Sequence, residues 1–135
     1  MNSKGIVVDT NLIFSSLIPK ESKIREILFD SDLTFYSPNY LIIEIYLHKD
    51  KLLKYSKLTE SEFYQYFNVI IERIKFIPTA VISTESKQKA YEFCYNIDIK
   101  DTAFVALAIE LDIPIWTGDK KLKEGLQSKG FRNFY

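Results

Sequence analysis

Apolar positions along the chain fall into two rhythms that alternate from one end to the other. Short continuous runs suit buried strands, and stretches spaced by three and four suit helices. The first run, Gly5 to Val8, is rich in β-branched residues and stops at Asp9, as a buried strand of a parallel sheet does, with a helical stretch opening near Thr10. From Ser22, the positions Ile24, Ile27 and Leu28 predict a helix, and residues 33–36 a second short strand. Ser37-Pro38 reads as an N-cap followed by proline at the first helical position. It opens a helix over residues 39–54 whose first half is apolar on most sides and is expected to be buried. Thr59 and Glu62 make a capping-box pair ahead of Phe63, Phe67, Ile70, Ile71 and Ile74 at helical spacing.

Residues 76–78 read as a short strand or as the exit from that helix. Ala90, Phe93, Cys94 and Ile97 then predict a helix over residues 84–96, and Asp101 opens another through Leu111. Residues 113–117 are a further buried strand with Pro114 near its first residue, where the missing N–H does least harm. A short helix over residues 120–127, a stop at Gly130 and a last strand over residues 131–134 complete the pattern. Strands separated by helices predict a three-layer α/β/α sandwich around a central, mostly parallel sheet. No repeat or low-complexity linker interrupts the chain, so residues 1–135 are expected to form one domain.

Composition narrows the chemistry. With 47% hydrophobic and 27% charged residues, the chain has the make-up of an ordinary globular protein. Cys94 is the only cysteine and His48 the only histidine, which excludes an internal disulfide and a Cys/His zinc site, and a Ser-His-Asp triad would have to use His48. Lys+Arg and Asp+Glu both number 18, so no bulk positive field draws the molecule onto nucleic acid. Contact with nucleic acid would have to be local, through Lys49, Lys51, Lys54 and Lys57 or through Lys120, Lys121 and Lys123, although each block also fits a solvated helix face. The run Ile6-Val7-Val8 is too short for a signal-peptide core or a membrane span, and a cytoplasmic protein with no membrane partner is expected.

The candidate chemistry lies in carboxylates. In open α/β sheets ligands bind beyond the carboxyl ends of the strands, and Asp9 and Asp119 each directly follow an apolar strand there. Glu44 interrupts the run Leu41-Ile42-Ile43-Glu44-Ile45-Tyr46-Leu47, where an ionised group needs a cation or a metal to meet it. Asp101 stands at the start of a strongly apolar helix, where the macrodipole is positive. Taken singly, Asp9, Asp101 and Asp119 also read as plain helix N-caps, and Glu44 as the partner of a lysine. Taken together, four acids aimed at one rim repel one another unless cations hold them, and oxygen-only ligation selects Mg²⁺ or Mn²⁺.

Val7-Val8-Asp9-Thr10-Asn11, the stretch from Asp98 through Asp101 to Ala108, and Trp116-Thr117-Gly118-Asp119-Lys120-Lys121-Leu122 together resemble a PIN domain in content and order. The resemblance spans nearly the whole chain. It implies a ribonuclease that binds Mg²⁺ or Mn²⁺ through Asp9, Glu44, Asp101 and Asp119, with Asn11 and Thr117 orienting those acids and Asp98 competing with Asp101 for the third place. Small proteins similar to this one include VapC-type toxins of toxin–antitoxin pairs, often dimers, so an antitoxin partner and a homodimer are implied as well. On that reading Lys54, Lys120 and Lys121 would hold RNA phosphates. The competing readings are a non-catalytic PIN-like module that binds RNA or a protein, and a phosphatase of the haloacid-dehalogenase kind using Asp9 as nucleophile. The phosphatase lacks its second Asp, since position 11 is Asn. A nucleotide-binding module is disfavoured, because no glycine-rich loop follows the first strand.

Overall fold

A computed structural model describes residues 5–17, 22–30 and 32–135. Its elements in chain order are β1 (Gly5–Val8), α1 (Thr10–Ser16), α2 (Ser22–Asp30), β2 (Thr34–Pro38), α3 (Tyr40–Leu47), α4 (Lys49–Ser56), α5 (Glu60–Arg73), β3 (Ile74–Ile77), α6 (Thr84–Cys94), α7 (Thr102–Leu111), β4 (Ile115–Trp116) and α8 (Lys120–Ser128). The four strands pair in parallel in the order β3-β2-β1-β4.

That order explains the layers. The chain steps from β1 to β2 to β3 in one direction, then crosses back over the sheet to place β4 on the far side of β1. Right-handed crossovers put the helices of the first two steps on one face and α6 and α7 on the other. α7 accordingly lies on β1 and β2 with α6 packed over it, whereas α1 meets α2 and α3, and α5 meets α2. The expected α/β/α sandwich is present, with every described strand parallel. The reversal between β1 and β4 makes a topological switch point, so the loops leaving these two strands diverge and open a crevice at their carboxyl ends. Asp9 follows β1 and the segment 117–119 follows β4, which places both in that crevice.

Ile6, Val7 and Val8 of β1 are buried, as are Phe104 through Ala108 of α7, so the centre of the sheet and this helix form the heart of the core. Pro114 stands just before β4, and its carbonyl accepts from Val7 N at 2.9 Å, so the lost N–H leaves no gap in the ladder. The capping box at Thr59 is formed in both directions, with Thr59 N donating to Glu62 Oε1 at 2.9 Å and Glu62 N to Thr59 Oγ1 at 3.1 Å.

Several expectations are corrected. Ser37 and Pro38 end β2 and pair in register with Phe76 and Ile77. They do not open the helix; Asn39 precedes it and gives no side-chain cap. The helix expected over residues 39–54 is two, because His48 leaves helical geometry at φ −105° and ψ 14° while its N–H closes α3 on Glu44 O and its carbonyl receives Leu52 N of α4. The first half is not buried: Leu41 and Ile45 face the core, while Ile42, Ile43, Tyr46 and Leu47 are exposed. β3 begins at Ile74, earlier than residues 76–78, where the stripe of α5 passes directly into a strand. Residues 131–134 form no strand; a single bridge joins Phe134 to Ile115.

Candidate active site

Asp9 is 1% exposed at the floor of the crevice. Its Oδ1 accepts from Leu12 N at 2.8 Å, capping α1, and from Gly118 N at 3.3 Å, while Thr117 Oγ1 donates to its Oδ2. Thr117 Oγ1 in turn accepts from Asp119 N at 2.9 Å, so one hydroxyl links the acid after β1 to the loop after β4. Gly118 eases this approach, since a Cβ there would stand a tight 3.1 Å from the backbone of Asn11 and Leu12 and would push the loop back by a few tenths of an ångström. Burial raises the Asp9 carboxyl to about 6 against the pull of its three donors, with the charge of Asp119 adding to the rise.

Asp119 caps α8 through Oδ1, which accepts from Leu122 N at 3.1 Å, and its Oδ2 receives a long bond of 3.4 Å from Asn11 Nδ2. Glu44 points from α3 toward α1, where Thr10 Oγ1 donates to its Oε1 at 2.7 Å. Among the described residues no lysine pairs with it, and its protein partner is this hydroxyl.

Asp101 behaves differently from the other two strand-end and helix-end acids. It closes a 3-10 turn, Ile99–Asp101, ahead of α7 and makes no side-chain cap, contrary to its reading as a good N-cap. Its Oδ2 is buried with no hydrogen-bond partner among the described residues. Desolvation raises its carboxyl to about 7, and the charges of Asp98, Asp9, Asp119 and Glu44 all push in the same direction. Five acids thus share one electrostatic site although their sequence positions run from 9 to 119. Asp98 sits exposed at its edge, where Oδ1 accepts from Lys100 N at 3.0 Å.

Above the floor lies a cleft of about 680 Å³ lined by Glu44, Asp98, Asp101 and Asp119 together with Thr10 and Asn11. Lys120 and Lys121 line it as well, and so do Lys51, from the first of the two lysine blocks, and Lys100, which the sequence did not single out. Lys54 is exposed but is not among the lining residues, and Lys49 is drawn away to Glu60 at 3.6 Å and to Tyr64. Thr10 and Gly118 are the other residues that sequence reasoning missed. The signal for both was their position beside the acids that close the strands.

The PIN-domain profile matches residues 7–134. The chain belongs to the PIN-domain family. No curated protein matches it. PIN domains are generally nucleases that use divalent metal ions, and the acids of this PIN domain suit such an ion in kind: they are hard oxygen donors, with an unpartnered buried oxygen on Asp101 and mutual repulsion that a cation would relieve. Among the described residues no three acids stand grouped closely enough to hold a metal ion as they are, and Asp9, Glu44 and Asp119 are each turned toward a protein donor.

Proposed function

We propose that this PIN domain, residues 1–135, is an endoribonuclease that hydrolyses RNA phosphodiester bonds with Mg²⁺ or Mn²⁺ held by Asp9, Glu44, Asp101 and Asp119. The observation that supports this best is the Asp101 carboxylate, whose buried oxygen has no donor among the described residues and whose proton is held by desolvation and by the charge of four neighbouring acids. A bound divalent ion would supply a water of lowered pKa and stabilise the attacking and leaving oxygens of an in-line displacement. The chain's own residues do the rest. Three donors fix Asp9, Thr10 fixes Glu44 and Asn11 reaches Asp119, so the acids are pre-oriented. Lys51, Lys100, Lys120 and Lys121 draw the phosphates of the strand over the floor, giving local positive charge to a neutral molecule.

Cleavage of an end-labelled RNA tests the reading: it should require Mg²⁺ or Mn²⁺, stop in excess chelator, and fall on the order of 100-fold or more in Asp9→Asn. Cleavage by pure Asp9→Asn, or by wild type in chelator, would leave the non-catalytic RNA- or protein-binding module as the better account. A toxin role is a separate extension of the proposal, resting on the resemblance of the motifs. Induced expression should then arrest growth, and Asp9→Asn should relieve the arrest.

A further inference from the structure

Helix α4 contributes an exposed side of the cleft that carries no acid. His48, Lys51 and Tyr55 fall three and four residues apart, which sets them in one stripe along the helix, and all three line the cleft that holds the acids. The break at His48 sets this face, since α4 starts afresh there instead of continuing α3. Phe14 meets the His48 ring edge-on at 5.8 Å between centroids. Tyr55 is 63% exposed, and its ring has the Lys51 ammonium 5.9 Å from its centroid. Lys51 makes no ion pair among the described residues, so its charge is free to meet a ligand.

We propose that Tyr55 is a stacking platform for an unpaired base of the RNA substrate and that Lys51 anchors a neighbouring phosphate, so that the strand taken by the cleft is single-stranded there. The proposal rests on the nuclease reading for the identity of the polymer, and on the shared cleft for its place. One turn of helix separates the two residues by about 6 Å along the axis, and successive nucleotides of a stacked strand stand about 3.4 Å apart. A phosphate on Lys51 therefore brings a base within two nucleotides of it against the Tyr55 ring. A duplex gains nothing from Tyr55, because its base faces are already stacked on one another and only its phosphates reach the lysines.

Fluorescence anisotropy with a labelled single-stranded RNA of mixed sequence, and with the same strand in a duplex, tests this on an Asp101→Asn background that blocks cleavage. Tyr55→Ala should weaken single-strand binding by about tenfold or more, within the range one base–aromatic stack supplies, and leave duplex binding unchanged. Tyr55→Phe should bind as the background does, and Tyr55→Leu, which keeps the bulk without the π-face, should fail like Ala. Lys51→Ala should instead lower the slope of log affinity against log salt by about 0.7, the share of one phosphate on a single strand, whereas Tyr55→Ala should not move it. Equal binding by Tyr55→Ala, equal losses for strand and duplex, or full binding by Tyr55→Leu overturns the proposal. If the wild-type chain does not cleave RNA but the Tyr55 pattern holds, the catalytic reading falls and the stacking site stands. If the chain cleaves and Tyr55→Ala binds and cleaves as before, the stacking site alone falls.

Discussion

Helix α7 reads Thr-Ala-Phe-Val-Ala-Leu-Ala-Ile-Glu-Leu and helix α3 reads Tyr-Leu-Ile-Ile-Glu-Ile-Tyr-Leu, each with a single charged residue. By pattern both belong in a core. α7 buries five successive residues, Phe104 to Ala108, because the sheet lies on one side of it and α6 on the other. α3 buries only Leu41 and Ile45, against β2 and α1, and leaves Tyr46 79% and Leu47 65% exposed. Each helix serves one acid of the cleft, and the difference in cover sets what that acid experiences. Asp101, next to the doubly covered helix, is desolvated and holds its proton up to about 7. Glu44, on the helix covered from one side, is half-buried as Asp101 is, but it meets a hydroxyl where Asp101 Oδ2 meets no donor among the described residues. An apolar helix therefore states that cover is tolerated, and the number of neighbouring layers states how much of it is supplied.

The largest effect that separates the two helices is cavity formation. Phe104→Ala should destabilise the fold by about 3–5 kcal/mol in urea melts, since a ring 1% exposed leaves a void that its packed surroundings fill only in part. A loss under about 1 kcal/mol would mean that α7 is not the rigid centre described here.

A smaller effect sharpens the contrast at the acids. In chelator, the folded chain keeps protons on Asp9 and Asp101 up to about 6 and 7, whereas the unfolded chain releases them near the ordinary value of 3.8. The folded state thus binds more protons across this window, and its stability falls as pH rises from about 4 toward 7. Asp101→Asn removes part of that slope and costs no cap, because Asp101 provides none. Its melting midpoint should match wild type near pH 4 and exceed it at pH 7 by a margin worth roughly 1 kcal/mol. Millimolar Mn²⁺ should then raise wild type, by ~2.7 kcal/mol at 100 times the dissociation constant, and raise the variant much less. A variant that melts below wild type in chelator and gains equally from Mn²⁺ would make Asp101 a structural residue.

The smallest effect lies on the exposed face of α3. Leu47→Ser should change stability by no more than about 0.5 kcal/mol, as surface substitutions do. A loss above about 2 kcal/mol that deepens with protein concentration would show this face covered in solution and would remove the contrast with α7.

Much of the site was legible from sequence because it rests on local rules. Asp9 directly follows β1, Asp119 closes the short loop after β4, and each caps the helix that begins at the next residue, an arrangement readable from a few neighbouring positions. The reading of Asp101 as a cap failed because the 3-10 turn before α7 turns its carboxylate inward, and no short-range pattern distinguishes that turn from a plain helix start. That Lys51 and not Lys54 lines the cleft was hidden for a related reason. Both sit on α4, and which of its faces meets the cleft depends on the break at His48, which the apolar run across it concealed. Residues 131–134 had the composition of a strand, but only Phe134 meets Ile115 of β4, and a strand requires a partner along its length.

What the sequence by itself determined was the alternation of short apolar runs with helical stripes, the caps at Thr59 and Asp9, and acids at the strand ends, since periodicity and capping act within a few residues. The tertiary structure alone decided the strand order β3-β2-β1-β4 with its crevice between β1 and β4, the hydroxyl of Thr10 that meets Glu44, the Thr117 link from Asp9 to the loop after β4, and the side of α3 left to water. Each of these joins groups tens of residues apart or depends on which layer lies against an element. The free energy of such contacts comes from partners brought together by the fold, and no local stretch of the chain encodes their distance.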